Sequence, residues 1–164
     1  MKKETYIKMT QPFRNYPNMA KGLHILNQLC TGTMYISYPI LLGYLFLQKD
    51  NQFLKAIIVP AISFIVLSLG RKWINRKRPY ETFDMSPVIP KDTKGNSFPS
   101  RHVFSATMIA MTFLVVSPWK WLGVLFFFVS CLLAVVRVVS GVHYISDVLA
   151  GIVFAIVCSI IGFL

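Results

Sequence analysis

Apolar residues in this chain come in long uninterrupted stretches, not in the alternation of a half-exposed strand. A helix needs about 20 apolar residues, at about 1.5 Å each, to cross a hydrocarbon core of about 30 Å. Five stretches approach that length: residues 30–47, 53–70, 102–116, 119–136 and 143–164. Pro60, inside the second, is a kink that a membrane helix tolerates. The third and fourth meet at Ser117-Pro118-Trp119-Lys120, which reads as a tight turn with an interfacial Trp and Lys. The pattern predicts an all-α fold, a polytopic transmembrane helical bundle of about five spans.

Residues 1–28 differ. Lys2, Lys3, Lys8, Arg14 and Lys21 alternate with Tyr6, Ile7, Phe13, Tyr16 and Leu23, the pattern of an amphipathic segment lying in the membrane interface. The expected division is therefore an N-terminal interfacial segment, 1–28, and a transmembrane domain, 29–164. A cleaved signal peptide is not expected, because the apolar run arrives late and Gln48-Lys49-Asp50 follows without a small-residue cleavage site. No internal repeat is visible.

Composition narrows the class. The 164 residues suit one domain; 55% are hydrophobic and only 14% charged, about half the charged share of a soluble domain. Thirteen Phe, seven Tyr and three Trp exclude a disordered tail. Cys30, Cys131 and Cys158 sit in or beside apolar runs and form no disulfide framework. Seventeen Lys and Arg against six Asp and Glu give a formal charge of +11, which points to nucleic acid or to an anionic membrane and its phosphorylated lipids. The apolar fraction decides for the bilayer as partner and against nucleic acid.

The one long polar connection, residues 71–101, lies between the second and third spans, and its length favours a functional role. The connection between the fourth and fifth spans is short and built on Ser140-Gly141. Two crossings separate these loops, so both open on the same face. Ionised groups are costly in lipid, about 3 kcal/mol near the bilayer centre. Those present gather at this end: Arg71, Arg78, His102, Arg137, His143 and Asp147. Lys72, Arg76 and Lys77 suit a basic collar snorkelling to headgroups. Arg137, His143 and Asp147 interrupt an apolar sequence that has no need of them.

Spacing suggests chemistry. His143 and Asp147 are four apart, one helical face, where a carboxylate accepts the imidazole N–H and frees the other ring nitrogen as nucleophile or base. Arg71 and Arg78 are seven apart, two helical turns, so they should point the same way and grip an oxyanion. Pro99-Ser100-Arg101-His102 resembles a helix start, with Ser100 as cap and free backbone N–H groups for an anion. Metal chemistry has weaker support: three histidines and six acids offer no His-x-His, no His-Glu-x-x-His and no paired aspartates. Glu81 and Asp84 read as a solvated loop pair and His24 as an interfacial residue. Phe126-Phe127-Phe128, Met108 and Met111 read as bundle packing or lipid contact.

Arg71-x6-Arg78-Pro79, then Pro99-Ser100-Arg101-His102, then Arg137-x5-His143-x3-Asp147 resemble, in order and spacing, the three-part signature of the type 2 phosphatidic acid phosphatase family. That family includes the lipid phosphate phosphatases and is related to vanadium haloperoxidases. Three positions depart from its pattern. Arg71 stands where lysine is usual, with Lys72 one residue late; Arg101 replaces glycine; and Val136 replaces a serine before Arg137. The resemblance implies a metal-independent phosphomonoesterase or pyrophosphatase acting on lipids, with no cofactor. His143 would attack phosphorus to form a phosphohistidine and Asp147 would orient it. His102 would protonate the leaving oxygen and then activate water. Arg71, Arg78, Ser100, the Arg101 amide and Arg137 would hold the phosphoryl oxygens. Short chains of this type are similar to undecaprenyl pyrophosphate phosphatases, which makes that lipid the leading expected substrate, with phosphatidylglycerophosphate and phosphatidic acid as alternatives.

The expected location is a bacterial plasma membrane. Orientation sets two arguments against each other. All Lys and Arg except Lys49, Lys55 and Lys120 fall on the active-site face, which the positive-inside rule would place in the cytoplasm. The family resemblance implies the extracytoplasmic face, and that is the expectation adopted. Rival readings are a non-catalytic membrane protein whose basic rim binds anionic lipids, a vanadate-dependent oxidoreductase, and a transporter for a phosphorylated solute. The spans argue against the second and the lack of repeat symmetry against the third.

Overall fold

The structure, a computed structural model, describes residues 3–164. Seven helices follow one another among the described residues: α1 (Lys3–Asn15), α2 (Pro17–Leu47), α3 (Phe53–Ile74), α4 (Pro79–Phe83), α5 (Arg101–Val116), α6 (Lys120–Val139) and α7 (Ile145–Phe163). No strand occurs among the described residues. Four helices, α2, α3, α6 and α7, are long and apolar enough to cross a membrane, and the apolar α5 is shorter at 16 residues. These five helices correspond to the five apolar stretches of the sequence.

Local sequence sets the ends. Pro17 starts α2 at a position where a missing N–H costs nothing and its φ already suits a helix. Asn75 ends α3 in the left-handed region, φ 41°, with its N–H bonded to the Arg71 carbonyl at 2.9 Å. The α5–α6 turn is closed by the Ser117 hydroxyl, which accepts the Trp119 N–H at 3.0 Å.

The helix that carries the first apolar stretch begins earlier than hydropathy indicates. α2 starts at Pro17 and runs unbroken through residue 28, because apolar content marks where a helix meets lipid and not where its backbone begins. Before it, α1 packs inward through Tyr6 and Thr10, which are four residues apart and fully buried. Tyr6 stacks on Phe83 with ring centroids 5.4 Å apart. Residues 1 and 2 of the amphipathic segment lie outside the described residues.

The shortest of the five is the core. Ten of the sixteen residues of α5 are buried, and the helix packs most extensively against α6 and then α7. α6 buries Phe126, Ser130, Leu133, Ala134 and Arg137, at three- and four-residue spacing, and turns Leu125, Phe128, Leu132 and Val135 outward. Within the Phe triplet, Phe126 packs inside and Phe128 faces out. Apolar exposure of this extent over α2, α3, α6 and α7 has its natural solvent in lipid. The protein is an integral membrane protein. One contact fixes the end of the bundle that matters for chemistry: α7 approaches the start of α5 so closely at Gly151 that a Cβ there would sit 2.9 Å from the Ser100 carbonyl.

Candidate active site

At one end of the bundle the C-terminal turn of α3, the 75–100 connection, the start of α5, the end of α6 and the turn before α7 surround a cavity of about 240 Å³. Arg71, Arg78, Arg101, His102, Arg137 and His143 all line it. Arg71 is buried and Lys72 exposed, so the inward cation of the first motif is Arg71. α3 stops at Ile74, so Arg71 and Arg78 do not share a helical face as their spacing suggests. α3 stops in the left-handed turn at Asn75, and beyond it Arg78 lines the same cavity as Arg71. Arg71 donates to the carbonyls of Pro99 and Asn96. Arg78 donates from Nε to the Gly95 carbonyl at 3.1 Å and from a terminal nitrogen to the Val142 carbonyl at 3.4 Å. Glu81 is no solvated bystander, since one carboxylate oxygen accepts the Gly95 N–H at 2.7 Å and the Arg78 N–H at 3.2 Å. The second motif is thus stapled to the first.

His143 precedes α7, so its pairing with Asp147 arises from the helix's opening turn rather than from one helical face. One Asp147 oxygen accepts the Tyr144 N–H at 3.0 Å and lies 3.4 Å from His143 Nδ1. The same oxygen accepts the Ser97 hydroxyl at 2.5 Å. His143 is 1% exposed and Asp147 0%. With its proton at Nδ1, facing the carboxylate, His143 carries its lone pair at Nε2. Burial pushes the His143 imidazolium down to about 4 against the pull of the Asp147 hydrogen bond, and the nearby Arg137 and Arg78 lower it further. The ring is therefore neutral at neutral pH.

His102 has the complementary arrangement. An Arg137 terminal nitrogen lies 3.3 Å from its Nδ1. Arg has only donors, so Nδ1 accepts and the neutral ring's N–H is at Nε2. The other terminal nitrogen of Arg137 donates to Asn27 Oδ1 on α2 at 3.2 Å. Ser100 stands at the N-cap of α5, but its hydroxyl makes no capping bond. It is fully buried with no partner among the described residues, while its N–H donates to the Asp147 carbonyl at 2.9 Å. His24 is exposed on α2, away from these residues.

Four contributors escape sequence reasoning. Arg76 is not collar: it donates to the second Asp147 oxygen at 2.9 Å and to the Ser146 hydroxyl at 2.7 Å, with its guanidinium 4.2 Å from the Tyr144 ring centroid. Ser97 and Asn27 brace Asp147 and Arg137. Lys91 joins the cavity wall from the long connection. Asn27 carries a faint signal as a polar residue one helical repeat from Cys30, where the apolar run begins; the others are three polar residues in a polar loop. No group of three or more His, Cys, Asp or Glu with the geometry of a metal site occurs among the described residues.

The stretch that carries this helical bundle and its arginine-lined cavity, residues 52–164, matches the family model of the PAP2 superfamily, and the chain belongs to that superfamily. An undecaprenyl-diphosphatase of Sulfolobus acidocaldarius is 26% identical over 121 residues, or 73% of this chain. The chain spans 58% of that relative's length over the match. Among solved structures, Aquifex aeolicus LpxE superimposes with a TM-score of 0.74 at 23% identity, covering 97% of this chain and 92% of that one. A transmembrane PAP2-type phosphatidylglycerolphosphate phosphatase from Bacillus subtilis gives 0.70 at 19%, covering 97% and 83%. These likenesses establish the fold.

Proposed function

We propose that this protein is a metal-independent lipid phosphatase that cleaves a phosphomonoester or pyrophosphate on a lipid headgroup through a phosphohistidine. The observation that carries this reading is the pair of oppositely set imidazoles in one arginine-lined cavity, His143 with a free Nε2 and His102 with its N–H at Nε2. His143 Nε2 attacks phosphorus, and Asp147 stabilises the imidazolium character that develops at Nδ1. Arg71, Arg78, Arg137 and the Arg101 amide hold the phosphoryl oxygens, where most phosphoryl-transfer catalysis lies. The buried, unpartnered Ser100 hydroxyl supplies a further donor. Phosphoryl oxygens that engage Arg137 release His102 Nδ1, so the ring can carry the second proton of an imidazolium and deliver one to the leaving oxygen. His102 then takes a proton from the water that opens the phosphohistidine.

Undecaprenyl pyrophosphate is the preferred substrate in this reading, supported by the Sulfolobus acidocaldarius relative. Phosphatidylglycerophosphate and phosphatidic acid are the alternatives, the first supported by the Bacillus subtilis neighbour. Residues 29–164 form the phosphatase domain and 1–28 an interfacial segment, in a bacterial plasma membrane with the site on the extracytoplasmic face. The cationic flanks on that face argue the other way, so labelling of single cysteines at each terminus in intact cells is the deciding test. The activity itself is tested by phosphate release in detergent with EDTA present, from undecaprenyl pyrophosphate, phosphatidylglycerophosphate, phosphatidate and a soluble monoester. Release from a lipid phosphate supports the reading; none from any of them refutes it.

A further inference from the structure

The cavity carries more positive charge than one phosphate engages. Arg71, Arg78 and Arg137 form its buried wall, each held by protein oxygens, and together they already exceed the charge of a phosphate dianion. Lys91, Lys94 and Arg101 line the same cavity and make no hydrogen bond or ion pair among the described residues. No carboxylate lines it. Lys91 is half-buried, and burial together with the field of Arg137, Arg78, Arg101 and Arg71 depresses its ammonium. Asp147 and Glu81, set behind the wall, offset part of the charge on Arg71 and Arg78, but the outer cations share the cavity lining with no carboxylate, and an anionic ligand relieves their mutual repulsion. The cavity also has room: about 240 Å³ accommodates about eight water-sized atoms at about 30 Å³ each, twice the four oxygens of one phosphate.

We propose that Lys91, Lys94 and Arg101 form a second phosphate subsite that holds the inner phosphate of a lipid diphosphate while the terminal phosphate lies against His143. The subsite rests on the phosphatase reading and commits it to diphosphates over monoesters. His143 Nε2 forms a bond to the terminal phosphorus, and the bond from that phosphorus to the bridging oxygen breaks. The bridging oxygen keeps the electron pair and departs as part of a lipid monophosphate. The subsite cations stabilise the charge that gathers on it. Water then adds its oxygen to the phosphohistidine phosphorus, the electron pair of the P–N bond returns to Nε2, and inorganic phosphate leaves. The sum is lipid diphosphate plus water to lipid monophosphate plus phosphate. The arginine at position 101 gains a use here: a side chain where the motif has glycine meets the inner phosphate.

Farnesyl diphosphate and farnesyl monophosphate, which share one tail, test this with purified protein in detergent. The wild-type protein should prefer the diphosphate in kcat/KM. In Lys91→Met and Arg101→Gly the diphosphate-to-monophosphate ratio should fall about tenfold, the loss of one charge-assisted contact, and Arg101→Lys should recover part of it. A ratio unmoved in both variants, with turnover present, overturns the subsite alone. No phosphate from either substrate with wild-type protein overturns the phosphatase reading and the subsite with it. If anionic phosphatidylglycerol instead stimulates monophosphate turnover through Lys91 while the ratio stays fixed, the cations read neighbouring headgroups and the proposal fails.

Discussion

Replacing Arg76 with alanine probes how the nucleophile is aimed. The substitution removes a 2.9 Å bond to one oxygen of Asp147, a 2.7 Å bond to Ser146 and the stack on Tyr144, and leaves the other Asp147 oxygen to Ser97, Tyr144 and His143. A hydrogen bond to a charged group is worth about 1.5–3 kcal/mol. The Arg76 side chain is 39% exposed, so solvent screening reduces the figure to about 1–2 kcal/mol. Expressed in the transition state, that is a fall in kcat/KM of about 5- to 30-fold. The sign of a second effect is fixed as well. Without the guanidinium, Asp147 puts a less compensated negative charge beside His143, which favours the imidazolium and raises its pKa from about 4. Steady-state phosphate release gives the first quantity, and a histidine NMR titration gives the second without interference from substrate ionisation. Lys72→Ala and Lys77→Ala, neighbouring exposed cations, serve as controls. Wild-type kcat/KM with an unmoved His143 titration in Arg76→Ala would refute the argument, and so would equal losses in the controls.

Other outcomes follow from the same geometry. His143→Ala should abolish turnover and Asp147→Asn should lower it by several orders of magnitude, because the amide leaves the wrong tautomer favoured; undiminished release in His143→Ala removes the nucleophile. His143 is held neutral in the fold, at about 4, below the ordinary value of about 6.5, so the folded state binds fewer protons than the unfolded one between those values. Thermal stability should therefore drop as pH falls from about 6.5 toward about 4, and His143→Asn should flatten that slope in a melting series. Gly151→Ala forces a methyl to 2.9 Å from the Ser100 carbonyl and should lower both melting temperature and kcat, whereas an unchanged kcat would show that the α5 start is not positioned by this contact.

The apolar stretches revealed the five main helices because lipid imposes a length and a composition that short-range packing does not disguise. They did not reveal where α2 begins, since Pro17–Gln28 is helical by backbone preference and tertiary contact without being apolar. Two pairs of motif residues were legible as partners by spacing, yet both for the wrong local reason. Arg71 and Arg78 line one cavity from either side of a helix end, and His143 meets Asp147 across a helix start. A spacing of four or seven fixes proximity in several backbone conformations. Arg76 and Ser97 stayed illegible because their role is to complete the hydrogen bonding of one buried carboxylate, and a polar loop offers many residues equally able to do so.

The brevity of the central helix has a consequence for the surrounding bilayer. Sixteen residues rise about 24 Å, short of a hydrocarbon layer of about 30 Å. His102 stands at the first turn of that helix, level with Arg137 near the end of α6 and, through the Ser100 N–H bond to the Asp147 carbonyl, with the opening turn of α7, so the shortfall of α5 brings the headgroup layer toward the site. A lipid phosphate then reaches the reacting nitrogens with little upward displacement, by drifting sideways at its own level. Membrane thickness becomes a control on turnover: reconstitution into bilayers of progressively longer acyl chains should slow the protein as the headgroup layer rises away from the histidines.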